Sequence, residues 1–388
     1  MKNLSVILAS TLAFASASFA QTTSGTATTD PVGYVTYNCL GNSDTYVTVP
    51  FTRAPEYVGV VSAISEGAGA AVITLSGTPG FTTNQFVFVP RTTQTVPSTQ
   101  PKTYYVLVGG TSGGRAGMFY TITANTTNSL TIDLTGDTLA SSITTGSTSI
   151  KVIPYATLDS IFPGGQGING SPSHSAGTRQ TEILIPDQAT AGTDLAASRS
   201  YYYYSGTNSP GTGWRQAGIT SQIKNDDVLP PDSYFIVRQD VATTTTLTLL
   251  GNVHMGTFRC PVSTLQANID QDVPVGLLLA ADTTLGNSNL FQSGAFAGST
   301  SHSAAVRQDQ ILVFDNSVVG KDKAAAASYY YYTGTNTPGA GWRKAGVTSS
   351  LADSTLIFGS QNTAVLFRKK GTATAQSVLW PITPSYAQ

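Results

Sequence analysis

Charged side chains make up 11% of the chain, against a usual value of about 25%. The formal net charge is -1, so no long-range field favours nucleic acid or an anionic membrane surface. Cys39 and Cys260 are the only cysteines, which excludes a dense disulfide framework. A single bridge between them needs Cα atoms within about 7 Å. The two cysteines fall at matching places in separate repeats, so two unpaired, buried thiols are expected. There are three histidines, His174, His254 and His302, without His-x-x-x-His spacing or a neighbouring cysteine. No metal site is expected. His174 and His302 read as loop histidines bonded to backbone.

Other catalytic signatures are missing too. There is no Gly-x-Ser-x-Gly at a strand-to-helix elbow, because such an elbow needs a helix and no helical periodicity supplies one. Gly109-Gly110 and Gly164-Gly165-Gln166-Gly167 precede no helix, so they read as turns and not as phosphate cradles. Asp226-Asp227 is the one tight acidic pair, and it reads as a solvated turn. No catalytic residue and no cofactor is expected, and the chain is not read as an enzyme. After the first residues, no apolar run reaches the about 20 residues a membrane helix needs.

The chain does have a distinctive start. Lys2 is followed by an apolar run from Leu4 to Ala15, and Ser18-Phe19-Ala20 offers small residues at the two positions a signal peptidase reads. Residues 1–20 are therefore expected to be a signal peptide. The expected location is the periplasm, the cell surface or the extracellular medium.

Self-similarity organises the rest. Ser198 to Ser221 and Ala326 to Ser349 match closely at an offset of 128, including Tyr201–Tyr204 with Tyr329–Tyr332 and Trp214-Arg215 with Trp342-Arg343. Ser173-His174-Ser175-Ala176 repeats as Ser301-His302-Ser303-Ala304 at the same offset. Tyr234 to Arg238 matches Ala364 to Arg368 after a two-residue shift. Farther back, Gly251-Asn252-Val253, Cys260 and Val273-Pro274 look like Gly33-Tyr34-Val35, Cys39 and Val49-Pro50. Two β units are expected, over 21–250 and 251–388. The first copy is longer after Pro50, which places an inserted β-domain at about 57–152.

Short runs of β-branched and aromatic residues, separated by Gly, Pro, Asn and Ser, fill both units and the insertion. In the insertion they are Val58–Ile64, Val72–Leu75, Gln85–Pro90, Thr103–Val108, Met118–Ile122, Ser129–Leu134 and Ser149–Ile153. The expected fold is all-β: tandem antiparallel sandwich or barrel-like units, with a small sandwich or barrel inserted in the first.

Asp30-Pro31-Val32-Gly33-Tyr34, Asn42-Ser43-Asp44-Thr45, Pro50-Phe51, Lys151 to Tyr155, the tyrosine run and Gly213-Trp214-Arg215 resemble a family of exported β-rich verrucomicrobial proteins of unknown function. The resemblance spans nearly all of the chain after the signal segment. It implies export and a β-rich fold, and it supplies no site residue.

The best candidate site is the aromatic hairpin: Tyr201, Tyr202, Tyr203, Tyr204, Trp214 and Arg215, with Tyr329, Tyr330, Tyr331, Tyr332, Trp342 and Arg343. In a strand, alternate rings face opposite sides. Two readings follow. In one, the tryptophans anchor the core and the arginines stack on tyrosines. In the other, the rings form a platform for a glycan or peptide. The first is preferred, because a shared fold requires the motif in both copies. The expected function is a non-catalytic structural or interaction protein, with self-assembly through exposed sheet edges or contact with other surface components. The alternative is a carbohydrate- or peptide-binding module using the hairpins. An outer-membrane barrel ranks below both, because the strands are short and irregularly spaced.

Overall fold

A computed structural model of the chain describes residues 30–88, 101–110, 113–359 and 363–387. The expected signal peptide, residues 1–20, lies outside them. Nearly all regular structure is β. Among the described residues the longest helix is one turn, Leu158–Ile161, closed by a capping box between Thr157 and Ser160.

The first unit is built on a five-stranded antiparallel sheet in the order Gly213–Gln216, Arg199–Tyr204, Thr181–Ile185, Phe235–Gln239, Asp44–Val47. The second has Gly341–Lys344, Ala327–Tyr332, Gln310–Asp315, Thr363–Lys369, Gln271–Val275 in the same order. A two-stranded ribbon packs over each sheet: Val32–Cys39 with Thr245–Asn252, and Phe258–Ser263 with Ser377–Ile382. Alternation explains the packing. Val35, Tyr37 and Cys39 of the first ribbon point inward and share a core with Ile183, Val237 and Trp214 of the sheet. Cys260, Trp380, Phe367 and Trp342 do the same in the second. Each unit is thus a small sandwich.

Between Asp44–Val47 and the rest of the first unit, the chain forms a closed six-stranded barrel. Its strands follow the order Tyr57–Gly67, Ala70–Leu75, Ser129–Asp133, Phe119–Asn125, Tyr104–Val108, Ser149–Pro154. Inward side chains such as Val61, Ile73, Val106, Ile122, Ile132 and Val152 fill it completely.

Three details differ from the sequence reading. Gln85–Pro90 is not a strand over its described part, 85–88, which is mostly turn. Asn84 has φ +59, and the Asn125 side chain accepts from Phe86 N and donates to Thr82 O. This folds the segment over and sets Phe81 and Phe86 into the barrel core. Val273-Pro274 does not correspond to Val49-Pro50 either. Thr45 and Val273 occupy equivalent ladder positions, opposite Val237 and Phe367. Gly251 faces Gly33 across one ladder, so the last strand of the first unit runs on to Asn252.

The two units lock together reciprocally. The loop after Gln310–Asp315 crosses to the first unit, where Gly320 O accepts from Asp44 N at 2.9 Å. Asp322 N donates to Asp44, and Arg238 bonds both Asp44 and Asp322. The loop after Thr181–Ile185 makes the mirror-image set: Gly192 O accepts from Asp272 N at 2.9 Å, Asp194 N donates to Asp272, and Arg368 bonds Asp272 and Asp194. Asp194 and Asp322 both have positive φ, +53 and +49, a conformation Asp tolerates better than most residues. Each edge strand is therefore covered by a loop of the other unit. At the opposite edges, Trp214 O and Trp342 O accept from Lys224 N and Ala352 N of the same unit. The exposed edges expected from the sequence are covered at these positions by the chain itself.

Candidate functional site

Tyr203 pairs with Trp214 and Tyr202 with Arg215 in the first unit, and Tyr331 with Trp342 and Tyr330 with Arg343 in the second. Register therefore sorts the side chains onto two faces. Tyr201, Tyr203 and Trp214 join the first core, and Tyr329, Tyr331 and Trp342 the second. Both tryptophans are fully buried.

On the opposite face, Tyr202, Tyr204 and Arg215 lie under the segment carrying His174 and Arg179. The His174 ring stacks on Tyr204 at 4.1 Å, and its Nδ1 is 2.8 Å from the Tyr202 hydroxyl. The Arg179 guanidinium sits 4.7 Å from the Tyr202 ring centre, and that of Arg215 lies 5.7 Å from Tyr204. The second copy reproduces this with His302 stacked on Tyr332 at 4.0 Å, its Nδ1 2.7 Å from Tyr330, and Arg307 and Arg343 over Tyr330 and Tyr332. The histidines thus bond tyrosine hydroxyls and not backbone. Burial lowers the pKa of Arg215, whose guanidinium bonds the carbonyls of Trp214, Gly211 and Thr220.

Tyr203 and Tyr331 are half-buried, and each is covered differently. A Cβ on Gly165 would lie 2.6 Å from the Tyr203 ring, so glycine is what lets the loop lie flat on that face. In the second copy the ring of Phe291 stacks on Tyr331 at 3.6 Å. All twelve hairpin residues are accordingly buried or half-buried beneath their own chain.

Cys39 and Cys260 are both free and buried. Burial pushes the Cys39 thiol up to about 12 and raises Cys260 well above its ordinary value, so neither is a reactive thiolate. His254 is a half-buried linker histidine near Thr257 O, and loss of water around it lowers its pKa. Asp227 is not a merely solvated turn residue: its carboxylate accepts from Tyr201 at 2.6 Å. Among the described residues no three His, Cys, Asp or Glu side chains converge on one point.

A large open cleft lies elsewhere, where the barrel meets the second unit. It measures about 750 Å³. The barrel approaches closely there because Gly117, at φ +87, carries no Cβ; an added one would lie 2.1 Å from Thr257 O. Gly117 O accepts from Arg259 N, and Ala116 O accepts from Arg259 Nε at 2.7 Å. On the barrel wall Arg115 and Tyr120 both donate to Asp137. Burial alone would raise the Asp137 carboxyl, but these two bonds hold it below its ordinary value. The Asp232 carboxyl also lines the cleft; it accepts from its own backbone N–H and from no other side chain among the described residues, and burial pushes it up to about 6. Tyr155 closes that side, its hydroxyl 2.9 Å from Thr121 Oγ1.

The sequence did not signal this cleft. Arg115 and Asp137 are 22 residues apart, Arg259 comes from the second unit, and Asp232 follows Pro230-Pro231 outside any motif. The one clue was charge itself: in a chain with so little, five charged side chains meeting at a domain junction stand out. No family model, curated protein or solved structure matches the chain.

Proposed function

We propose that the protein is an exported, non-catalytic structural or interaction protein of the bacterial cell surface or periplasm. The observation that carries this reading is the reciprocal lock: two sandwich units hold one another through paired Asp–Arg–Asp clamps, with the barrel wedged against both. That is the construction of a rigid scaffold. The hairpins support it, since their rings and guanidinium groups are engaged in internal packing and present no open platform for a glycan or peptide. Export rests on the leading segment, on the low charge and on the resemblance to exported verrucomicrobial proteins. Among the described residues no helix is long and apolar enough to cross a membrane.

Two measurements test the reading. Antibody fractionation of native cells should place the protein in the periplasm, on the surface or in the medium; a cytoplasmic pool of full-length chain overturns export. Trp214→Ala and Trp342→Ala should each cost about 3–5 kcal/mol of stability. Unchanged melting together with lost ligand binding would return the hairpins to a recognition role.

A further inference from the structure

We propose that the cleft between the barrel and the second unit is a binding site for a neutral saccharide of one to a few rings. This goes beyond the scaffold reading and concerns a surface that the hairpins do not touch.

Size is the first argument. A cavity of about 750 Å³ lies within the roughly 300–1,000 Å³ of small-molecule sites. The second argument is which polar groups remain available. Asp137 is saturated by Arg115, Tyr120 and the backbone N–H of Thr138. Asp232 is not: it accepts from its own backbone N–H, and no side chain among the described residues donates to it. Arg259 uses Nε on Ala116 O, and its terminal nitrogens meet no acceptor among the described residues. The cleft therefore offers an acceptor with capacity to spare and an unclaimed donor, from two different domains.

Charge narrows the class. Arg115 and Arg259 stand against Asp133, Asp137 and Asp232 in the lining, so opposite signs nearly cancel. Neither a strong anion nor a strong cation is favoured. A hydroxyl both donates and accepts, and so suits a cleft lined by both carboxyl and guanidinium groups. Phe119 and Leu379 supply apolar wall between the polar groups, matching the C–H faces of a sugar ring. Aromatic and apolar surface with a few convergent polar groups is the usual make-up of such a site. The position also explains why a barrel is held over the second unit by close contact at Gly117.

The test uses the full chain after the signal segment. Glucose, galactose, N-acetylglucosamine and their β-linked disaccharides are titrated at up to millimolar concentration by calorimetry, with glucuronate and glucosamine as charged controls. At least one neutral saccharide should bind, more tightly than its charged relative. Asp232→Asn and Arg259→Gln should each weaken it by about 10-fold or more, with the fold retained. Hydrogen exchange on the unaltered protein gives a second readout that does not depend on a variant folding. Bound saccharide should protect amides around Phe119–Thr121 and Val378–Leu379, and leave Tyr201–Tyr204 unchanged. Absence of binding across the whole panel overturns the proposal, as does protection confined to other surfaces or preference for a charged control. None of those outcomes bears on the scaffold reading, which stands or falls on location and on the tryptophan variants.

Discussion

Lys369 and Asp309 form a buried ion pair where the first unit sets Gln239 against Thr181. Both positions follow from the ladder: Thr181 faces Gln239, and the equivalent strands of the second unit bring Asp309 under Lys369. Lys369 also donates to Ala295 O, and Lys370 N to Asp309. One fold thus carries a neutral pair in one copy and a charged pair in the other.

This natural exchange can be repeated by hand. Asp309→Thr alone leaves a buried ammonium without its anion and should cost about 3–5 kcal/mol. Adding Lys369→Gln imports the pair of the first unit and should recover most of that loss. Urea unfolding of the single and double variants measures it. A double variant no more stable than the single one would show that the two units are not interchangeable at this point.

The clamps between units should respond unequally to their parts. Asp44 is 1% exposed, Arg238 20% and Asp322 83%. Arg238→Ala strands a buried carboxylate and should cost about 2–4 kcal/mol, somewhat less than a fully buried pair. Asp322→Asn alters an exposed contact and should cost under about 1 kcal/mol. Thermal melts compare them, and equal effects would contradict the assignment of Asp44 as the buried centre.

Gly165 should tolerate no side chain. Its φ of +78 costs an L-residue roughly 1–2 kcal/mol, and a Cβ meeting the Tyr203 ring adds about 1–3 kcal/mol. Gly164 has φ +61 but nothing within 4 Å of an added Cβ. Gly165→Ala should therefore be clearly worse than Gly164→Ala in denaturant unfolding, and parity between them would mean that the loop does not rest on the tyrosine.

Asp232 predicts a pH dependence of definite sign. Its carboxyl is raised from 3.8 to about 6 by burial, so between those values the folded chain holds a proton that the unfolded chain has released. The stability this group contributes is complete at the acid end and is lost as pH rises through about 6. Asp232→Asn should remove that slope and raise the melting temperature near neutral pH. A profile that keeps its slope in the variant assigns the titration to another group.

The fold class was legible because β-sheets write a local signature. Runs such as Leu130-Thr131-Ile132-Asp133-Leu134 alternate with a period of two, and the offset between Tyr201 and Tyr329 showed that one pattern serves two units. The core role of the tryptophans followed from the same duplication. Other features depend on contacts remote in sequence. Gln85–Pro90 has strand-like composition, yet the Asn125 side chain folds its described part into a turn that seats Phe86 in the barrel. Asp44 and Asp272 were hidden behind the coincidental similarity of Val49-Pro50 to Val273-Pro274. Their kinship shows only once Arg238 and Arg368 are seen to hold them. Neither Arg259 nor Asp232 belongs to any motif, because their meeting depends on how three bodies dock.

The crossed loops make the halves of this chain mutually dependent. A protease nick in the linker at Val253–Gly256 would leave two fragments that still travel as one particle, each carrying the strip that shields its neighbour. Pulled apart, each would bare a row of unsatisfied backbone groups and become prone to stick to its own kind.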